Sequence, residues 1–287
     1  MRPLFRRSAR STDPAVTTTR PSKKAFRGAL ALVLSLALGA GTMMQGAGSA
    51  EAMPMGSIDA ALTVTGQPGP HRVPGHYFTS PTAPRIQRAA GNTPVVGPST
   101  PVEIGNLICT ISVAGFDRAG NKVAITAGHC GAPGTPVRSM DARGAGVIGQ
   151  VVMRSSLDYG VIRLRGDVQL TRNYGRAHIN RLGGPIPATG ATICKTGIST
   201  GTSCGPVLAL SGANFFSHFC GSYGDSGAPV YRQGRLVGIL NGGLQSLPSC
   251  RTPIQGPLHS PTISTAWNVI QAELNAHGGV GAGFRLP

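Results

Sequence analysis

The sequence predicts an all-β fold built from two halves and closed by one helix. From Val102 onward, short runs rich in β-branched and aromatic residues alternate with turns of Gly, Pro, Asn and Asp, which is typical of all-β proteins. Pro185 and Pro187 divide this region into two parts of similar size, each long enough for a small barrel. Near the end, apolar residues recur at helical spacing, which predicts a closing helix.

The predicted elements follow one another along both halves. Strands are expected at 107–113, 122–126, 146–153 and 160–164 in the first half, about 102–184, and at 192–195, 205–210, 228–231 and 235–240 in the second, about 185–280. The helix is predicted from about Thr265 to Ala276, with Trp267 among its apolar residues and Ser264 or Thr265 as its cap. Gly278 and its neighbour are expected to end it.

Residues 1–52 have the pattern of a secretion signal. Eight Lys or Arg precede an apolar run over 28–41, and Ala50-Glu51-Ala52 supplies a small-x-small cleavage site. The run is short for a membrane span, so we expect cleavage after Ala52 and no stable span afterwards. An uncleaved anchor is the alternative. The protein is thus predicted to be secreted or extracellular, with association to the cell wall as a further option.

Residues 53–101 are rich in Pro, Gly, Thr and Ser, and their prolines are expected to break any regular element. The composition predicts a linker or a short prosegment. This segment is either trimmed from the mature protein or retained as a spacer that reaches across the cell envelope.

The charge balance is basic and bears on partners. Without residues 1–52 the chain keeps 18 basic and 8 acidic residues, a net charge of +10. This positive charge favours binding to anionic cell-surface polymers or acidic substrates. Nucleic-acid binding is not predicted, because no aromatic and basic cluster accompanies the charge. The Cys and His residues lack paired zinc-ligand spacing, so no metal site is predicted. We also expect no cofactor and a monomeric protein.

Two short motifs together indicate a serine hydrolase. Thr126-Ala127-Gly128-His129-Cys130 places a histidine at the end of a small-residue strand, and Gly224-Asp225-Ser226-Gly227-Ala228-Pro229 places a serine in a glycine-flanked turn. A hydroxyl nucleophile needs a base to take its proton, and an imidazole can supply one. Each motif alone could be an ordinary loop; the pair in this order predicts catalysis.

Three aspartates lie between His129 and the motif that begins at Gly224: Asp141, Asp158 and Asp167. Asp141 and Asp167 lie in glycine-containing turns. Asp158 instead precedes an apolar, β-branched run that predicts a buried strand, so it is assigned as the acid that orients His129. The resulting order of His, Asp and Ser differs from the order in α/β-hydrolases.

The predicted roles follow from proton transfer. Asp158 would accept the Nδ1 proton of His129, which leaves Nε2 free to take the hydroxyl proton of Ser226. The turn at Gly224 and Ser226 can aim two backbone N–H groups at one oxyanion. Losing one such donor costs about 3 kcal/mol of barrier.

At these residues the chain resembles the chymotrypsin-like (trypsin-like) serine proteases, in the bacterial secreted branch with the streptogrisins and α-lytic protease. The match covers about 100–277 and rests on 126–130, 158–160, 224–227 and 194–205. The resemblance implies two six-stranded Greek-key antiparallel β-barrels with the active site between them. It also implies an exported serine endopeptidase that acts on polypeptides through an acyl-enzyme intermediate.

The resemblance also assigns supporting residues, and here the chain departs from the family. Asp225 should pair with Lys195, where the family usually has Arg and its planar fork. Asn241 stands where a serine commonly supports the catalytic Asp, and its amide can donate to Asp158. Ala228 replaces a usual glycine. These departures leave a weak or inactive protease-fold binding module at the cell surface as the alternative.

Six cysteines in an exported chain imply oxidised pairs. Among the fifteen possible connectivities, the resemblance selects Cys109–Cys130, Cys194–Cys204 and Cys220–Cys250. Each is expected to contribute about 2 to 4 kcal/mol.

The resemblance places the specificity pocket at Tyr223 and at Leu240, Asn241, Gly242 and Gly243, with the glycine segment pairing with an extended peptide. No acidic residue occupies these positions, so cleavage after Lys or Arg is not predicted and an apolar or small side chain is. His218 and His259 leave a glutamate preference open; a surface loop is the alternative for His259.

Overall fold

Strands make up most of the structure, a computed structural model that describes residues 83–244, 247–251 and 255–287. In chain order the elements are α1 (Arg85–Ala90), β1 (Val95–Val96), β2 (Pro101–Ile104), β3 (Leu107–Thr110), β4 (Val113–Phe116), β5 (Lys122–Ala127), β6 (Pro136–Ser139), β7 (Val147–Arg154), β8 (Tyr159–Leu164), β9 (Gln169–Leu170), β10 (Asn173–Tyr174), β11 (Ala177–His178), β12 (Arg181–Leu182), β13 (Thr192–Gly197), β14 (Gly201–Ser211), β15 (Asn214–Ser217), β16 (Pro229–Arg232), β17 (Arg235–Gly243), β18 (Thr262–Ala266) and α2 (Trp267–His277).

All described residues belong to one unit, Ala52–Pro287. The predicted signal sequence, its cleavage site and the first part of the predicted linker lie outside the described residues. Within the described ranges, no helix has the length and apolar character needed to cross a membrane.

The first sheet holds seven antiparallel strands in the order β3, β2, β6, β7, β8, β5, β4. Its edge strands β3 and β4 are successive pieces of one chain segment, which was predicted as a single strand. The segment bends at Ile111 and Ser112, whose N–H groups donate to Thr100 and Ile125. One piece therefore pairs with β2 and the next with β5, and the sheet forms a half-barrel.

The second sheet runs β12, β17, β16, β13, β14, β15, β18, and an additional pairing of β17 with β18 closes six of these strands into a barrel. Only β12 joins in parallel, along β17. The all-β prediction, with two barrel-like sheets and a C-terminal helix, is confirmed. Strands β2, β6, β15 and β18 were not predicted, because their short runs mix polar residues with apolar ones.

Regular structure begins earlier than the composition indicated. The region 53–101 was predicted to lack regular elements, and this is wrong for its last part, which contains α1 and β1. Pro84 stands at the N-cap of α1, where proline breaks no helical hydrogen bond. The buried Gln87 then organises the turn: its amide donates to Gly91 O at 2.9 Å and accepts from Val95 N at 2.8 Å.

Helix α2 packs against both sheets. Its buried residues Trp267, Ile270 and Leu274 share one apolar cluster with Val161 of the first sheet and Leu236 of the second. Separate apolar clusters fill the interior of each sheet. Burial of this shared apolar face holds the two sheets together.

The start of α2 differs from the prediction. The helix begins at Trp267 after Ala266, with no side-chain cap. Thr265 lies instead in β18, where its hydroxyl donates to Leu157 O at 2.9 Å. The predicted cap is therefore wrong, because tertiary contacts use the hydroxyl that the local pattern assigned to capping.

Candidate active site

His129 lies in a tight 3-10 turn, Gly128–Cys130, that follows β5. A Cβ on Gly128 would lie 3.0 Å from the Asp158 and Tyr159 backbone, a tight contact that glycine avoids. The Cys109–Cys130 disulfide ties the turn to β3. The imidazole is thus mounted on rigid backbone, and its side chain is 31% exposed.

Asp158 lies directly before β8 with a φ of 59°, a left-handed conformation that Asp tolerates better than most residues. His129 N donates to Asp158 Oδ1 at 2.7 Å, and the imidazole Nδ1 lies 2.9 Å from Oδ2. Burial acts to raise the pKa of Asp158. The hydrogen bonds and charge of His129, with a hydrogen bond from Asn241, outweigh it and hold the pKa below its ordinary value.

Ser226 completes the constellation from the second sheet. Its Oγ lies 2.9 Å from Nε2 of His129. The next residue, Gly227, has a φ of 84°, and a Cβ there would lie 2.2 Å from Thr126 Oγ1 and 2.3 Å from Thr110 O. The structure thus brings the three predicted residues into one hydrogen-bonded chain, which can carry a proton from hydroxyl to imidazole while the carboxylate stabilises the resulting cation.

The turn around Ser226 presents backbone donors beside the hydroxyl. Gly224 has a φ of 89°. Among the described residues, neither the Gly224 N–H nor the Ser226 N–H donates to an acceptor. The two predicted oxyanion-hole donors are therefore available to a negatively charged oxygen.

Asp225 and Lys195 form an ion pair with both side chains fully buried. Lys195 Nζ donates to Asp225 Oδ2 at 3.0 Å, to Gly201 O at 3.0 Å and to the Thr200 hydroxyl. Three acceptors match the three N–H donors of an ammonium group. The pair predicted from the resemblance is thus fully hydrogen-bonded on the lysine side.

Asp225 also organises the backbone around the turn. Its carboxylate accepts from Ser199 N at 2.8 Å, Thr200 N at 3.2 Å and Ser222 N at 3.0 Å. Burial lowers the pKa of Lys195, against the attraction of the Asp225 charge.

Asn241 holds Asp158 from β17. Its Nδ2 donates to Asp158 Oδ2 at 2.9 Å and also to the Asp158 carbonyl. Thr265 fixes the amide orientation, because its N–H donates to Asn241 Oδ1 at 2.8 Å. The sequence predicted Asn241, but no local pattern pointed to Thr265.

Three disulfides are present, between Cys109 and Cys130, Cys194 and Cys204, and Cys220 and Cys250. They are the pairs that the resemblance implies. Over the described ranges, no group of three or more His, Cys, Asp or Glu is arranged to hold a metal ion.

Four of the five predicted pocket residues, 240–243, form the end of β17. The pairing of β16 with β17 ends at Ile239 of β17. Beyond that residue, Gly242 and Gly243 pair with β18 alone among the described strands. Both glycines are exposed and Leu240 is buried. An extended peptide can therefore add to this edge.

Tyr223, a predicted pocket residue, contacts a basic side chain. Tyr223 is 47% exposed, and the guanidinium of the buried Arg251 lies 5.0 Å from its ring centre. The rings of His218 and His259 stack with centres 4.5 Å apart. His259 lies in a loop directly after the exposed residues 256–258, but is itself only 6% exposed.

Sequence comparison finds bacterial relatives of this chain. No family model matches the chain. Uncharacterized protein Rv1815 of Mycobacterium tuberculosis is 33% identical over 181 residues, 53% of this chain and 80% of that protein. Streptogrisin-C of Streptomyces griseus is 24% identical over 146 residues, which cover 47% of this chain and 32% of the length of Streptogrisin-C.

Solved structures share the fold. Cellulomonas bogoriensis chymotrypsin superposes with a TM-score of 0.50 at 25% identity, over 67% of this chain and 98% of that one. Thermobifida fusca Protease A gives a TM-score of 0.51 at 23% identity, and the match covers 63% of this chain and 96% of that one. The fold is that of the bacterial chymotrypsin-like serine proteases. The protease relatives bind polypeptide substrates.

Proposed function

We propose that this chain is an exported serine endopeptidase that hydrolyses peptide bonds through His129, Asp158 and Ser226. One observation carries the proposal: a single imidazole lies 2.9 Å from a serine hydroxyl through Nε2 and 2.9 Å from a carboxylate through Nδ1. A base within hydrogen-bonding reach of its nucleophile, itself oriented by a third group, is the arrangement that nucleophilic catalysis requires.

The reaction proceeds in two halves. His129 takes the Ser226 proton as Oγ attacks the scissile carbonyl carbon, and then gives it to the leaving amine as the peptide bond breaks. Water next attacks the acyl-enzyme with His129 again as base, and Ser226 recovers its proton. Asp158 stays ionised throughout and stabilises the imidazolium, which its lowered pKa supports.

The oxyanion that forms in each half would be held by the N–H groups of Gly224 and Ser226. These donors lie in a turn whose shape depends on the buried Asp225 and Lys195 pair. Donors fixed before the reaction cost no reorganisation when charge develops, which is why such sites lower the barrier.

For the substrate, we favour a small or apolar side chain at the cleavage site. The described pocket positions hold no carboxylate to pair with Lys or Arg, and Arg251 is a nearby cation. Burial, together with the charge of His218, lowers the pKa of His259, so that imidazole is neutral at neutral pH and offers an anionic side chain little attraction. Profiling with a peptide library checks this preference. Cleavage after Arg would contradict it, and cleavage after Glu would favour a histidine-based acidic preference.

A fluorophosphonate probe tests the catalytic proposal itself. We expect the wild-type protein to be labelled at Ser226, and Ser226→Ala to abolish both labelling and peptide hydrolysis. Ser211→Ala, which changes an exposed serine at the end of β14, is the matched control and should label normally. A wild-type protein that does not react would favour the binding-module alternative.

Export is part of the proposal and has its own test. Three disulfides require an oxidising compartment. N-terminal sequencing of the secreted protein should find a start at or after Met53. Retention of the apolar run in a membrane fraction would instead support an uncleaved anchor. Binding to anionic cell-wall polymer that salt reverses would support an association driven by the net charge of +10.

A further inference from the structure

Two consecutive carbonyls of the oxyanion turn are each held by a buried hydroxyl. Ser199 Oγ donates to the Tyr223 carbonyl, and Thr110 Oγ1 donates to the Gly224 carbonyl at 2.8 Å. Both hydroxyl residues are fully buried. They come from different sheets, since Thr110 ends β3 and Ser199 lies in the turn between β13 and β14.

The contact from Ser199 decides where the Gly224 N–H points. In a trans peptide the C=O and the following N–H lie in one plane and point in opposite directions. The Tyr223 carbonyl is directed inward to a fully buried side chain, while Tyr223 itself is 47% exposed. The Gly224 N–H therefore points to the open side of the turn.

The direction of the Gly224 N–H must be held by other residues, because glycine itself does not enforce it. Gly224 has no Cβ to restrict rotation, and its φ of 89° lies in a region that glycine enters freely. A rotated peptide would put the Tyr223 carbonyl oxygen where the oxyanion must be stabilised, and two negative oxygens repel. Hydrogen bonds at both neighbouring carbonyls oppose that rotation.

Thr110 clamps the other side of the nucleophile as well. Its N–H donates to Ser226 O at 2.8 Å, and its Oγ1 accepts from Ile198 N at 3.2 Å. Its own carbonyl accepts from the Thr126 hydroxyl at 2.8 Å. One residue of the first sheet thus fixes two carbonyls of the catalytic turn in the second.

We propose that Ser199 and Thr110 are positioning residues of the oxyanion hole, which hold the peptide between Tyr223 and Gly224 with its N–H toward the substrate. Neither side chain touches a reacting atom, so both act through the backbone. The proposal rests on the proposed protease function and extends it to the residues that keep the hole open.

Ser199→Ala tests the first hydroxyl. We expect kcat to fall about tenfold or more with KM little changed, because the oxyanion is bound only in the transition state. The Kd of a peptide boronic acid, which mimics that state, should rise by the same factor. Ser199→Thr, which keeps the hydroxyl, should restore both values. Ser99→Ala is the matched control: it removes a buried hydroxyl that donates to Thr196 O at 3.1 Å, away from the oxyanion turn, and should keep wild-type kcat.

Thr110→Val and Thr110→Ser give a second route that does not depend on the folding of Ser199→Ala. Valine keeps the branched shape without the hydroxyl and should lower kcat and boronate affinity together, whereas serine should preserve them. Wild-type kcat and boronate affinity in both hydroxyl-free variants would overturn the positioning roles, as would an equal loss in Ser99→Ala. A wild-type protein without fluorophosphonate labelling would overturn the proposed function, and this inference with it.

Discussion

The two sheets contribute to the site in different ways. The first supplies His129 and Asp158, whose side chains are 31% and 36% exposed, whereas the second supplies Ser226 on a turn held by Lys195 and Asp225, both 0% exposed. Groups that exchange protons with substrate and water must stay reachable. A backbone turn that binds an oxyanion must instead be rigid, and buried charges with complete hydrogen bonds provide that rigidity. We therefore expect changes in the first sheet to alter catalysis alone and changes in the second to alter stability as well.

The largest effect should come from Asp158→Asn in the first sheet. The amide cannot stabilise the imidazolium and favours the wrong tautomer of His129, so kcat should fall roughly 10⁴-fold. The unfolding midpoint should change little, because the side chain is partly exposed. Steady-state kinetics and urea unfolding measure the two quantities. Asp167→Asn, at an exposed aspartate of the same half, should change neither; a large loss of activity in that control would mean that the acid was assigned to the wrong aspartate.

Asp225→Asn, in the second sheet, should lower both stability and activity. It leaves the Lys195 ammonium buried opposite a neutral amide, which should lower the free energy of unfolding by about 3 to 5 kcal/mol and abolish most activity. Replacing both partners, in Asp225→Asn with Lys195→Met, should recover part of the stability but not the activity. An Asp225→Asn variant of normal stability would show that the buried pair does not hold the turn.

Gly227→Ala tests the junction between the sheets. The added Cβ would meet Thr126 Oγ1 and the Thr110 carbonyl at a φ of 84°, so we expect a loss of about 2 kcal/mol or more of stability together with reduced activity. Gly166→Ala, at a site with open space and no positive φ, is the control and should behave as wild type. Equal unfolding curves for the two variants would contradict the close contact.

The smallest effect at neutral pH is expected for Lys195→Arg, whose effect on activity should emerge at alkaline pH. The turn needs a protonated Lys195, and burial lowers the pKa of that residue from 10.5. Activity should thus be lost as the pH rises through a value below 10.5. Arginine stays charged, so the alkaline limb of kcat/KM should move upward in the variant. Identical limbs in wild type and variant would assign the loss to another group.

Much of the site was readable in the sequence, because short motifs fix local geometry. The glycines around His129 and Ser226 fit turns that the structure builds with positive φ or with no room for a Cβ. The low acid content reduced the candidates for the orienting carboxylate to three aspartates, and the residue chosen there is the one that contacts His129. Regular alternation predicted most strands, but not those with mixed polar composition such as β15.

Local sequence patterns were enough to predict the fold class, the order of the three motifs and the residues in the oxyanion turn, since each depends on neighbours within a few positions. The roles of Thr110, Ser199 and Thr265 emerge from folding, because these residues hold groups 114, 24 and 24 positions away. The same distinction explains α1 and the start of α2, where burial and long-range hydrogen bonds outweigh local preference. A hydroxyl carries no local signature of its acceptor, because only folding brings the two together.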